Sequence, residues 1–452
     1  MIDLAEILQT IPDYQEFLTL KELHNSSVEL VAEFPEVARL QKIGVSTDGR
    51  PIELLTIGHG SRAALFLGVP HPNEPIGTLS LEFLSRVLCE RPDLRERLDY
   101  TFLIVKVSDP DGLALNEGWL KGTFSPLQYA LNYYRCMAQE QVEWGFPIDY
   151  KTLHFSNPPA ETQVVMQLMQ NYRPGFCYSL HNASFCGVYF YASQCFSRLF
   201  TQLQQLVSDQ GLALHQGEPE VPYIQAWTQA VYPFFGVQES YDFMAQHLDQ
   251  DPAALIATGT SSADYLIQLV PEALSLVCEL PYFTDPALEN TRPAGISRRD
   301  AMAEGMNRIE ETLALIERHF FALRSLALKD RLPSSRLFRS VSDYVQRTPK
   351  RLVAQRRQLE TSSAYEEEAT HAQAFDATVC RSLHPTLYLG EVYRLAKEAG
   401  EESRAEEIRT QVELRIRHLE GESHIEVLPL KKLVAVQVGS GLLAMLTEAS
   451  CA

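Results

Sequence analysis

The sequence predicts an α/β sandwich around a central sheet, followed by a mainly helical C-terminal part. Short runs that suit strands (51–58, 63–69, 100–107, 175–180, 187–192 and 274–280) alternate with amphipathic stretches of helical period (77–90, 161–171, 194–210 and 301–323), the pattern of stacked helix and sheet layers. After about residue 323 the pattern changes, and residues 330–420 are almost all helix-forming, with many charges. A chain of 452 residues also exceeds one average domain and suits two. We therefore expect a body at 1–323 and an appendage at 324–452.

Taken in order, residues 3–41 read as helical, with Ser26-Ser27 and Pro35 as punctuation. The run Ala63-Ala-Leu-Phe-Leu-Gly-Val69 reads as a buried strand, stopped by Pro70 and Pro72. In the C-terminal part, Val392, Leu395, Ala396, Ala399, Ile408, Val412, Ile416 and Leu419 recur at near-helical spacing. Residues 425–437 then alternate like a strand, before Gly439-Ser-Gly441, and are expected to pack back on the body. No internal repeat or low-complexity tract interrupts the chain.

Hydrophobic residues make up 45% of the sequence, enough for a substantial core. No stretch reads as long enough to span a membrane. The start, Met1-Ile-Asp-Leu-Ala-Glu, lacks a basic segment followed by an apolar one, so no secretory signal is expected. Cysteines 89, 136, 177, 186, 195, 278, 380 and 451 show no paired spacing, which points to a reducing, cytoplasmic setting. A formal net charge of −19 disfavours nucleic acid as a partner. One basic run (Arg331, Arg336, Arg339, Arg347, Lys350, Arg351, Arg356, Arg357) reads as a solvated helix face against an acidic body, or as a docking surface for an acidic partner.

The chemistry centres on His71-Pro-Asn-Glu74. Where the strand stops, an imidazole and a carboxylate three residues apart can grip one metal ion from the same side. A zinc site with an open position needs one more protein ligand. His181, in Cys177-Tyr-Ser-Leu-His-Asn182, again follows an apolar stretch. Ligands in α/β sheets collect at the carboxyl ends of strands, where both histidines fall.

Further segments carry a resemblance. Ile43-Gly-Val-Ser-Thr-Asp-Gly-Arg-Pro-Ile52, Asp109-Pro-Asp-Gly112, Asn157-Pro-Pro-Ala-Glu-Thr162 and Leu276-Val-Cys-Glu-Leu-Pro281, together with the His71 and His181 segments, resemble the zinc carboxypeptidases of the M14 type over roughly residues 14–318. The resemblance implies a three-layer α/β/α sandwich with a central mixed sheet. It implies Zn²⁺ held by His71, Glu74 and His181, an activated water with a pKa near 7, and Glu279 as general base. The apolar flanks of Glu279 favour a raised pKa suited to that task. It also implies an arginine for the developing oxyanion, and the one arginine in the matching interval is Arg135.

The chain departs from the family where a terminal carboxylate is recognised. An Asn-Arg pair belongs there, but registering on Phe146-Pro147 puts Glu143, Trp144 and Gly145 in its place. Either Lys121, Lys151 or Arg135 supplies the missing charge, or the substrate has no carboxylate at that end. In the second case Glu143 and Trp144 become substrate contacts. Residues 257–265 resemble the specificity loop, with the small or polar Ser261, Ser262 and Ala263. The family's mobile tyrosine has no counterpart in place; Tyr241 lies too far upstream. The reading is a zinc-dependent hydrolase of a peptide or small amide, with altered end-group recognition. Its rivals are an N-acyl amino acid deacylase of the aspartoacylase and succinylglutamate desuccinylase kind, and a non-catalytic binding module.

Overall fold

The computed structural model describes residues 2–325 and 334–451. Arg331 of the basic run lies outside them. The chain opens with α1 (Leu4–Gln9) and α2 (Leu20–Glu33). Thr19 and Glu22 close a capping box at the start of α2. Ser26 and Ser27, expected as punctuation, instead lie within α2 and return their hydroxyls to the Leu23 carbonyl.

The body continues with β1 (Ala38–Val45), β2 (Pro51–Ile57), β3 (Arg62–Leu67), α3 (Ile76–Glu90), α4 (Pro92–Leu98), β4 (Tyr100–Val105), α5 (Pro110–Leu120) and α6 (Pro126–Asn132). Next come β5 (Ile148–Tyr150), β6 (Leu153–Phe155), α7 (Ala160–Tyr172), β7 (Phe176–Phe185), β8 (Tyr189–Ala192) and α8 (Ser197–Asp209). They are followed by β9 (Val231–Pro233), α9 (Val237–His247), α10 (Ser262–Leu269) and β10 (Leu274–Thr284). The helical part holds β11 (Pro293–Ser297), α11 (Arg298–Ser325), α12 (Arg336–Thr361), β12 (Glu368–Thr370), α13 (His371–Phe375), α14 (Arg381–Glu398) and α15 (Glu402–Glu422). The chain then ends in β13 (Glu426–Val427) and α16 (Leu430–Cys451).

The main sheet runs β1-β2-β4-β3-β7-β10-β8-β9, with β13 also on β10. Its centre, β4-β3-β7-β10, is parallel, and antiparallel pairs flank it, so the sheet is mixed as expected. Alternation along each strand sorts the side chains into two cores. Phe176, Tyr178 and Leu180 of β7, with Leu274, Leu276 and Cys278 of β10, face one helical layer that includes α3, α8 and α16. Leu65, Leu67, Leu103, Val105 and Cys177 face the other, where Val165, Leu168 and Met169 of α7 and Leu266 of α10 pack. Burying a side chain of this size stabilises by about 1.5–3 kcal/mol, so both faces anchor the central strands.

The expected last strand is only the two-residue β13. Residues 430–451 form α16, which packs on α3, α8, β7 and β10. Leu433, Val434, Ala435, Val436 and Val438 are all buried. A helix covered on most sides is apolar all round, and its run of residues then looks like a buried strand. Gly439 keeps it close to α8, since a Cβ there would lie 2.7 Å from Leu206 Cδ2. Contrary to the sequence reading, residues 430–448 are also long and apolar enough, by length and composition, to cross a membrane; 67% of that window is buried inside the fold.

The motif segments away from His71, Glu74 and His181 form a clasp. Asp111, fully buried, accepts from Ser46 Oγ (2.7 Å), the Asp48 amide (2.8 Å), Arg50 Nη1 (2.8 Å) and Arg336 Nη2 (2.9 Å). Glu161 accepts from the Thr47 amide at 2.8 Å. The turn between β1 and β2 is thus tied to α5, α7 and α12. The basic run faces acidic groups of the body and helical part: Arg336 and Arg339 reach Glu140, and Arg356 reaches Glu310. Asp111→Ala leaves Arg336 and Arg50 without their buried partner. Both keep Asp48 as a partner, so a loss of about 1.5–3 kcal/mol is expected, read as a lower unfolding midpoint in denaturant.

Candidate active site

β3 ends at Leu67, and the buried Val69 adopts φ 52°, a left-handed conformation costly for a β-branched residue. The chain turns there and delivers His71-Pro-Asn-Glu74 to the start of α3, with the Glu74 amide donating to the His71 carbonyl at 3.1 Å. The next side chain after His181, Asn182, locks this turn in place. Its Oδ1 accepts from the Ile76 amide at 3.0 Å, and its Nδ2 donates to the Leu280 carbonyl at 3.0 Å.

His181 lies beside Glu279 in the parallel register of β7 and β10, and Glu279 lies beside Tyr189 in the antiparallel register of β10 and β8. One row across the sheet thus carries an imidazole, a carboxylate and a phenol. His181 Nδ1 is 2.9 Å from Glu74 Oε2 and 3.6 Å from Glu279 Oε1. One ligand atom each from His71, Glu74 and His181 falls within 4.8 Å of the others. His71 Nδ1 is buried without a hydrogen-bond partner, an arrangement that a cation would satisfy. Two imidazoles and one carboxylate are a donor set suited to zinc with an open position, so these residues fit the expected metal.

The electrostatics of the metal-free site set the two imidazoles apart: His71 is ready to ligate, whereas His181 must give up a proton to a cation. Burial, helped by the nearby Arg135 and His181, drives His71 well below its ordinary pKa, so its ring is neutral as a metal ligand requires. Burial opposes the charge on His181, yet Glu279, Glu74 and Glu143 outweigh it and hold the ring at about 9. Burial pushes Glu279 well above the ordinary carboxyl range, against the pull of His181. Its side chain is still 13% exposed, so it is open to solvent on one side.

Arg135 reaches this cluster. Its Nη1 donates to Glu74 Oε1 at 2.8 Å and to Asn73 Oδ1 at 3.1 Å. Lys121 pairs with Glu16 and Glu22, and Lys151 with Asp242, so of the three candidate cations Arg135 alone contacts a site residue. Glu143 turns inward rather than toward an open cleft. Its Oε1 accepts from Ser262 Oγ at 2.6 Å and its Oε2 from Ser179 Oγ at 3.0 Å. Burial raises its pKa, opposed by His181 and the two serine hydroxyls. Trp144 packs against Phe235 with ring centroids 6.0 Å apart. Ser261 caps α10, and the Tyr241 hydroxyl meets Thr152 and Asp251 instead of the metal ligands.

A model of the zinc carboxypeptidase family, Peptidase M14, matches residues 23–248, half of the chain. The chain belongs to this family. The matched stretch contains His71, Glu74, Arg135 and His181, whereas Glu279 lies beyond it. Among solved structures, carboxypeptidase A from Helicoverpa armigera is similar at 16% identity and a TM-score of 0.39, covering 62% of this chain and 69% of its own. A metallo-carboxypeptidase from Burkholderia cenocepacia is similar at 18% identity and 0.34, covering 57% and 59%. Bovine thrombin-activatable fibrinolysis inhibitor is similar at 12% and 0.35, covering 58% and 86%. No curated protein matches the chain.

Several neighbours of this candidate site escaped the sequence reading. Gln437, wholly buried in α16, donates to the His181 carbonyl at 3.2 Å and the Cys278 carbonyl at 3.4 Å, behind the ligand strand. Nothing local marks it, since its segment reads as a strand. Tyr189 and Tyr191 share the face of β8 that turns toward Glu279, and their period of two was the available signal. A cavity of about 320 Å³ lies elsewhere, between α2 and β2, and its buried Lys106 is satisfied by Glu82 and Ser27.

The helical part grips the segment that carries Arg135. Glu391 of α14 accepts the Arg135 amide at 2.7 Å, and Arg394 donates to the Asn132 and Tyr133 carbonyls. Gly390 permits the contact, since a Cβ there would lie 1.7 Å from the Ala130 carbonyl. Burial raises Glu391 from 4.5 to about 8. The fold therefore favours the protonated form, and this contribution is present below about pH 4.5 and is lost as the pH climbs to about 8. Glu391→Gln should remove that loss, so the wild type's unfolding midpoint falls more steeply than the variant's across this window.

Proposed function

We propose that the protein is a zinc-dependent hydrolase of peptide or amide bonds, of metallocarboxypeptidase type with altered end-group recognition. The observation that carries this reading is the convergence of His71, Glu74 and His181, with Glu279 beside them on the next strand. Zinc, when bound, supplies a Lewis acid that lowers the pKa of water toward about 7 and polarises a substrate carbonyl.

The protein's own groups supply the rest. Glu279, with its high proton affinity, takes the water's proton and returns it to the leaving amine. Arg135, with 22% of its side chain exposed, sets a positive charge beside Glu74, where a developing oxyanion is stabilised. The tyrosines of β8 flank Glu279 on the side away from His181. At the place of the family's end-group recognition stand Glu143, engaged by two serines, and Trp144, packed on Phe235. Neither offers the bidentate cationic fork that selects a terminal carboxylate.

His71→Ala, Glu74→Ala and His181→Ala are each expected to remove bound zinc from metal-repleted protein, measured by elemental analysis. Glu279→Gln should keep the zinc and lose turnover by about 10²–10⁴-fold. Full zinc occupancy in His181→Ala would overturn the assignment.

A panel of matched peptides with free and amidated C-termini tests the end-group reading. Comparable kcat/KM for the two sets is expected, and a strong preference for the free acids would defeat it.

A further inference from the structure

Glu143 has a connection to the metal ligands that does not run through substrate. Ser179 and His181 are two residues apart on β7 and share one face of the strand. Ser179 Oγ lies 3.0 Å from His181 Nε2 and donates at 3.0 Å to Glu143 Oε2. The other Glu143 oxygen accepts from Ser262 at the start of α10, so both oxygens are occupied and the carboxylate, 5% exposed, faces inward.

With Glu143 ionised, as the pull of His181 and the two serine hydroxyls favours against its burial, proton count fixes the direction of this chain of hydrogen bonds. A serine hydroxyl has one proton to give. Given to Glu143, it leaves Ser179 Oγ as an acceptor toward His181, and the proton between them must sit on Nε2. In the metal-free protein the surrounding carboxylates hold a second proton on the ring; with zinc in place of that proton, the ring would keep the one on Nε2 and offer its lone pair from Nδ1, the nitrogen that lies beside Glu74 and Glu279. Were the Glu143 carboxylate missing, the hydroxyl could turn and donate to Nε2. The ring proton would then move to Nδ1 and close that atom to a cation.

We propose that Glu143, acting through Ser179, is a positioning residue of the metal centre: it holds the proton of His181 on Nε2 and so presents Nδ1 to zinc. This inference rests on the zinc reading above. It assigns the carboxylate that replaces the family's end-group recognition to the rear of a metal ligand. Partners of this kind orient ligating histidines and tune affinity for the metal.

The test is zinc affinity, measured by titrating zinc chloride into metal-free full-length protein against a chromogenic chelator. Ser179→Ala and Glu143→Ala should each weaken binding by about 10–100-fold. The double variant should bind no more weakly than the weaker single variant, because both act through one path. Single variants with wild-type affinity, or losses that multiply in the double, would overturn the proposal while leaving the zinc reading intact. If the wild type itself takes up no zinc, the metal centre fails first and the inference falls with it. Should Glu143→Ala not fold, Ser179→Ala decides alone, and unchanged affinity in that variant overturns the proposal.

Discussion

The register between β7 and β10 is the constraint on which the site depends. It sets His181 beside Glu279, and Ser179, His181 and Glu279 then share a face with the layer formed by α7 and α10. Because side chains alternate, a slip of one residue would send these groups into the opposite core and bring Leu180 or Leu280 to the site. That outcome is blocked from both sides. Tyr178, Leu180, Leu276 and Cys278 need the core under α16, and Gln437 hydrogen-bonds the carbonyls of both strands. The apolar packing of one face therefore fixes the chemistry of the other.

A second set of contacts holds the pieces that approach the sheet from its edges. Asp111 and Glu161 gather the β1–β2 turn, and Arg336 fastens the helical part to the same point. Glu391 and Arg394 fix the backbone that delivers Arg135. The helical part thus shapes the surroundings of Glu74 without adding a residue to the His-Glu-His group among the described residues. The start of its basic helix meets acidic groups of the body through Arg336 and Arg339.

Much of this was legible in the sequence because it rests on local rules. Alternating strand and helix periods gave the sandwich, and Pro70 and Pro72 marked where a strand must stop. The spacing of His71 and Glu74 brought both to one turn. Other features were hidden for physical reasons. Residues 430–438 are buried on most sides, so their periodicity could not separate helix from strand. The inward turn of Glu143 depends on Ser179 and Ser262, 36 and 119 residues away in the chain. The row formed by His181, Glu279 and Tyr189 comes from strand order, which sequence patterns leave open.

The return of α16 to the sheet bears on how the molecule is made. The strand that holds Glu279 is complete by Thr284, yet the helix that covers its rear face begins only at Leu430. At ribosomal rates, the intervening residues take about 10–30 s to emerge. During that interval Tyr178, Leu276 and Cys278 lack their cover, so one face of the half-made sheet stays wet until the last helix arrives.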